Sequence, residues 1–247
     1  INKKTKDFEV YRKYWGEVLD AKYLTDFPLH LDLELTSQCN LKCKMCWQAQ
    51  EPDKIALGMM KEELFKKIID EGVTNGLCAI KLQSRGEAMM HPKIFKFSKY
   101  AKDKGVLDIH LTTNGTLFSK KGKIDEIINS GIDKLIFSID DAHQESIDEI
   151  YKGKKKPDIV EYFNKISELK QKNKSNKPTL VIQTFLNENE TKEEKISKLN
   201  TIFNNVDDYI INNLWNSLPF EESLPGLKEN YEFNPCSYLW SRMLIFW

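Results

Sequence analysis

The sequence predicts an α/β fold in which six βα units wrap a partial (βα)6 barrel. Three observations carry that expectation. The 247 residues, 40% of them apolar, suffice for one large domain, and α/β barrels reach this length undivided. Strand-like runs alternate with helix-like segments from about residue 31 onward. Gly72, Gly105 and Gly131 each follow a helix-like run and precede a strand, where a helix C-cap needs positive φ.

Residues 1–30 form a lead-in. Its Phe8, Tyr11, Trp15 and Tyr23 follow a partly helical pattern, which predicts a helix packed over one end of the barrel. Strands are expected at 31–36 (LDLELT), 77–83 (LCAIKLQ), 107–113 (LDIHLTT), 133–139 (DKLIFSI), 179–185 (TLVIQTF) and 207–212 (DDYIIN). Helices are expected at 60–72, 92–104, 119–130, 157–173 and 190–204, from apolar spacing and charged faces. The basic run at 152–156 and the polar tract at 170–178 read as solvated connections. The barrel domain is expected to span 31–215, and 216–247 to be a linker and the start of a C-terminal extension.

The 37 basic and 37 acidic side chains cancel, so no net field favours nucleic acid or an anionic membrane. A small-molecule or peptide substrate is the easier partner. No apolar run approaches the roughly 20 residues that cross a bilayer, and the N-terminal stretch lacks the apolar core of a signal peptide. The expected location is cytoplasmic. The chain begins at Ile1 and stops at Trp247 within the apolar run SRMLIFW, which reads as a piece of a longer protein.

Three of the five cysteines crowd into CNLKCKMC as Cys39, Cys43 and Cys46, directly after the first strand. This does not resemble the spaced, even set of a secreted disulfide framework. In a loop, the spacing lets three thiolates hold three corners of one iron–sulfur cubane and leaves the fourth iron without a protein ligand. On the residues alone two alternatives stand: a structural zinc site and a redox pair at Cys43 and Cys46. Zinc needs a fourth ligand, and no Cys or His lies close in sequence. Cys78 sits in an apolar strand and reads as core; His91 is the remaining residue that could approach.

CNLKCKMC after a first strand resembles the CxxxCxxC signature of the radical SAM superfamily, and the resemblance spans roughly residues 31–247. It implies a TIM-like partial barrel, the radical SAM core, with Cys39, Cys43 and Cys46 on a [4Fe–4S] cluster. The open iron chelates S-adenosylmethionine (SAM), whose reductive cleavage yields a 5′-deoxyadenosyl radical that abstracts a substrate hydrogen. Electrons come from a flavodoxin- or ferredoxin-type donor.

Further matches fall at strand C-termini, where barrels place their chemistry. SRGEAMMHP resembles the family's GGEPLLHP segment, which implies that Gly86 and Glu87 bind the SAM amino group; Arg85 stands where the first glycine usually is, and Ala88 where proline usually is. LTTNGTLF resembles the segment that places Thr113 and Asn114 at the SAM and substrate cavity. FSIDDAHQESIDEIYKG resembles the run after the fourth strand, with Ser138 and Asp140 facing the SAM ribose or carboxylate and Asp141 in place of a glycine. Met45 and Trp47 stand where the family presents apolar side chains to adenine. Gln183 and Asn187, after the fifth strand, are weaker candidates for the cavity.

PCSYLWSRMLIFW resembles the opening of a SPASM or twitch extension. Cys236 is then the first ligand of an auxiliary Fe–S cluster whose other ligands lie beyond Trp247, or a lone thiol, either buried or able to donate a hydrogen atom to a product radical. Relatives with such extensions act on peptides, protein side chains, sugars or aminocyclitols. The lead-in is short for a leader-peptide-binding domain, which leans toward oxidation, dehydration or epimerisation of a carbohydrate-type or other small molecule. The alternatives are a peptide or protein maturase, and a non-enzymatic metal-binding or electron-transfer protein.

Overall fold

Short runs rich in Leu, Ile, Val and Phe build six strands: β1 (His30–Leu33), β2 (Ala79–Lys81), β3 (Asp108–Thr113), β4 (Lys134–Ser138), β5 (Thr179–Leu186) and β6 (Asp208–Asn213). They come from a computed structural model that describes residues 7–20, 22, 24–187, 189–213 and 242–247. All six expected strands form, each parallel to the next. A seventh, β7 (Arg242–Ile245), pairs parallel with β1, giving the order β6-β5-β4-β3-β2-β1-β7 in an open sheet. The sequence reading of six strands missed it, because its four residues have no adjoining helix-like segment to announce a βα unit.

The helices are α1 (Phe8–Leu19), α2 (Trp47–Gln50), α3 (Glu62–Thr74), α4 (Ile94–Lys104), α5 (Lys123–Ile128), α6 (Asp141–Ile150), α7 (Ile159–Lys172) and α8 (Lys192–Asn200). Helices α2 and α6 were not among the expected ones; both follow directly on motif residues. Gly105 and Gly131 do adopt positive φ, +103° and +78°, after helical segments. Gly72 does not: it lies inside α3, where a Cβ would sit 2.7 Å from the Leu77 side chain, and Gly76 supplies the positive φ after that helix. Among the described residues no helix is long and apolar enough to cross a membrane.

One face of the strands is apolar. Leu31, Leu33, Ile80, Ile109, Leu111, Leu135, Phe137, Leu180 and Ile182 are buried with Phe65 and Ile69 of α3, Phe97 of α4 and Phe163 of α7. Strand residues of the opposite parity therefore face the barrel interior. Low in that interior polar side chains gather: His30 Nε2 lies 3.1 Å from Asp32 and His110 Nε2 2.9 Å from Asp108, and Arg242 pairs with Asp32 at 3.4 Å. Helix α1 closes the N-terminal end, burying Tyr11, Trp15 and Val18 with Leu29, Cys78 and Ala79. The lead-in helix and the core role of Cys78 are thus as expected.

Candidate active site

The C-terminal ends of the strands open into a cavity of about 720 Å³. The loop after β1 brings Cys39, Cys43, Met45, Cys46 and Trp47 to it; the loop after β2 brings Gly86 and Glu87; the ends of β3 and β4 bring Thr113, Asn114, Ser138 and Asp140. The three cysteines and the eight residues expected to bind the cofactor therefore line one space, and Cys236 lies outside the described segments. Phe185 of β5 lines the cavity, whereas Gln183 and Asn187 do not. Gln183 lies outside the lining although it is in register with Ser138, and the Asn187 backbone N–H donates to Glu190 at 3.1 Å.

Close backbone approach shapes the wall. A Cβ on Gly86 would lie 2.4 Å from the Thr36 carbonyl oxygen and 2.5 Å from that of Gln38, so only glycine fits there. The Glu87 N–H then donates to Gln38 O at 2.8 Å. The buried Glu87 carboxylate accepts from Met89 N at 2.9 Å, Thr113 Oγ at 2.8 Å and Asn114 N at 2.8 Å. Asn114 in turn donates from Nδ2 to Asn40 Oδ1 at 3.1 Å, and Lys42 N–H donates to Ser146 Oγ of α6 at 2.8 Å. The cysteine loop is thereby tied to the ends of β2, β3 and β4.

Arg85, the departure from the family's glycine, has a partner that explains it. Its Nε and Nη2 each donate at 2.6 Å to the carboxylate of Glu34, which is fully buried, and its guanidinium lies 4.4 Å from the Phe246 ring. Trp247 Nε1 donates to Ser37 Oγ at 3.1 Å, so the residues after β7 cap the same loops. Removing one member of a buried ion pair leaves the other uncompensated. Arg85→Gly is therefore expected to destabilise the chain by about 3 kcal/mol, and the double variant Arg85→Gly/Glu34→Leu to recover most of that loss in urea denaturation. Equal stability of the single and double variants would show that Glu34 left without Arg85 carries no penalty.

Burial raises two of the three thiols. Cys43 is pushed up to about 12, with the Asp140 charge adding to the effect, and Cys39 to about 11, with Glu87 adding. The accessible surface of Cys39 faces the cavity, while surrounding protein removes water from its sulfur. A group whose pKa is raised on folding contributes stability below its unfolded pKa, and loses it as pH rises through the folded value. The metal-free chain is thus expected to fall in Tm between about pH 9 and 11. A Tm flat across that window would contradict the burial.

The donor set fits an iron–sulfur cluster. Thiolates are soft ligands suited to it, and metal binding displaces the thiol protons. Among the described residues no three His, Cys, Asp or Glu side chains stand close enough to hold a single ion. His91 does not complete a zinc set: its Nε2 bonds Met60 O at 3.0 Å and its Nδ1 accepts from Lys93 N at 3.2 Å.

The family model described as the Radical SAM superfamily matches residues 33–197. The chain belongs to the radical SAM superfamily. Members of this family are enzymes that use a [4Fe–4S] cluster and SAM, and the open parallel sheet is theirs. Among curated relatives, the antilisterial bacteriocin subtilosin biosynthesis protein AlbA of Bacillus subtilis is 33% identical over 129 residues, covering 52% of this chain and 28% of that protein. The AdoMet-dependent heme synthase of Methanosarcina barkeri is 32% identical over 125 residues, 51% of this chain and 35% of that protein. These matches span about a third of each relative. The fold is shared with Streptococcus suis SuiB bound to S-adenosylmethionine, at a TM-score of 0.51 and 16% identity over 95% of this chain and 62% of that one.

Sequence reasoning missed Glu34, Asn40, Thr112, Ser146 and Phe185. Thr112 is buried with its hydroxyl unpartnered, and it lines the cavity, as Phe185 does. Period-two parity along β3 and β5 was the signal that could have found these two. The other three are recognisable only through partners far along the chain.

Proposed function

We propose that Cys39, Cys43 and Cys46 hold the [4Fe–4S] cluster with one iron left for SAM, and that the enzyme removes a hydrogen atom from a carbohydrate-type or other small molecule, in an oxidation, dehydration or epimerisation. The observation that carries this reading is a single cavity lined at once by the three cysteines, Gly86, Glu87, Asn114, Ser138 and Asp140. When bound, cluster and cofactor supply the 5′-deoxyadenosyl radical. The chain supplies orientation. Glu87 offers a charge-assisted acceptor to the cofactor's ammonium group, and Gly86 lets the backbone come close. Ser138 and Asp140 offer hydrogen bonds to the ribose or carboxylate, and Met45 and Trp47 an apolar surface to adenine. Phe185, Leu57 and Met90 line the cavity with apolar surface that excludes water from the substrate.

A flavodoxin- or ferredoxin-type protein donates the electron in this reading. Residues 31–215 act as the barrel, to whose sheet β7 adds a seventh strand, and the stretch from 216 opens a SPASM- or twitch-type extension in which Cys236 binds an auxiliary cluster. A peptide substrate is favoured by the similarity to AlbA and by Trp47 and Leu57, 52% and 64% exposed beside the cavity, which suit apolar side chains.

Anaerobic reconstitution followed by EPR with and without SAM tests the cofactor assignment. The expected result is a reduced-cluster spectrum that changes when SAM is added. A spectrum indifferent to SAM, with no 5′-deoxyadenosine formed, would end this reading. Incubation with nucleotide sugars, aminocyclitols or short peptides then separates the substrate classes, and 5′-deoxyadenosine released with peptides alone would replace the small-molecule assignment.

A further inference from the structure

Asn114 does more than line the cavity. Its Nδ2 donates to Asn40 Oδ1 at 3.1 Å, Asn40 Nδ2 donates to Thr116 Oγ at 2.8 Å, and the Thr116 hydroxyl donates back to Asn114 Oδ1 at 2.6 Å. The three side chains form a closed ring in which every bond runs in the same sense, an arrangement that strengthens each member. Thr116 N–H adds a further bond to Asn114 Oδ1 at 3.0 Å. Asn114 and Thr116 are buried, so a broken ring leaves polar atoms without water. Asn40 lies between Cys39 and Cys43, and neither it nor Thr116 lines the cavity.

We infer that Asn40 is a positioning residue for SAM: the ring it closes with Asn114 and Thr116 sets the register between the cysteine loop and the loop after β3. This rests on the reading that Cys39, Cys43 and Cys46 hold the cluster. In that reading the open iron on the cysteine loop and the wall formed by Glu87 and Asn114 have to meet the same methionyl end of SAM. Glu87 binds the backbone of Asn114 from one side and reaches Gln38, before the first cysteine, through its own N–H. The ring supplies the matching tie after the first cysteine. With both ties in place, the cysteine loop and the Glu87–Asn114 wall are held at a fixed separation before SAM arrives.

The test compares wild type, Asn40→Ala, Thr116→Val and Thr116→Ser after anaerobic loading with iron and sulfide. Iron content, Tm and SAM affinity by EPR-monitored titration are measured for each. The expected result is wild-type iron content throughout. The SAM dissociation constant rises about tenfold in Asn40→Ala and Thr116→Val and stays within about twofold in Thr116→Ser, which keeps the hydroxyl. Unchanged affinity in either ring-breaking variant, or a fall in Tm without a change in affinity, overturns the inference. Should Asn40→Ala lose iron, Thr116→Val, remote in sequence from the cysteines, decides; loss of iron from both would mean that the ring holds the cluster itself and would overturn the positioning role. A wild-type spectrum that ignores SAM would instead count against the function reading and take the inference with it.

Discussion

Cys43→Ala is expected to abolish formation of 5′-deoxyadenosine, with a fall of at least about a thousandfold, the equivalent of about 4 kcal/mol in barrier. Cys43 is the most enclosed of the three cysteines, packed with Leu41 and Ile147, and its loop is held by the Lys42–Ser146 bond. His91 is not placed to substitute for it, because both of its ring nitrogens are engaged elsewhere. Cys39→Ala and Cys46→Ala are expected to behave alike. Cys78→Ala is the control: it is buried in the α1 cluster at the other end of the barrel, so the variant loses about 1 kcal/mol of stability and keeps SAM cleavage. Iron content and the yield of 5′-deoxyadenosine check both sides. A Cys43→Ala protein that turned over normally would show that the ligand set is wrongly assigned.

The second large effect concerns Glu87. In Glu87→Ala, the N–H groups of Met89 and Asn114 and the Thr113 hydroxyl lose a buried acceptor together. At about 1–3 kcal/mol for each group left unsatisfied, and with partial relaxation, the expected loss of stability is about 3–5 kcal/mol. Glu87→Gln separates structure from cofactor binding. It keeps one acceptor oxygen and the side-chain shape, so stability falls by only about 1–2 kcal/mol. It also removes the negative charge proposed to meet the SAM ammonium group, so the SAM dissociation constant rises by about tenfold or more. Calorimetric Tm and equilibrium dialysis with SAM give the two numbers. Wild-type SAM affinity in Glu87→Gln would confine the carboxylate to a structural role.

The α/β class, six strands, the plugging helix and the cysteine loop follow from properties read within a few residues. Periodicity, helix-ending glycines and the spacing of Cys39, Cys43 and Cys46 are short-range signals. The motif matches also located the cavity wall, since residues at strand C-termini of a parallel barrel converge by topology alone. That logic reaches Gly86, Glu87, Asn114, Ser138 and Asp140 without coordinates.

Tertiary structure decided which of these side chains also bind one another. Arg85 and Glu34 are 51 positions apart, Asn114 and Asn40 are 74 apart, and Lys42 and Ser146 are 104 apart. A hydrogen bond forms or fails over a few tenths of an ångström, while spacing in sequence specifies only the strand and its face. The substitution at Arg85 therefore looks in sequence like a damaged motif, and in the folded chain it is the partly exposed partner of the buried Glu34 carboxylate. Strand β7 is the same case: four residues become a strand because β1 offers an unpaired edge. The sequence by itself determined the family, and with it the cluster-and-SAM chemistry its members share; only the packing of distant loops against each other decided how rigidly the cavity is held.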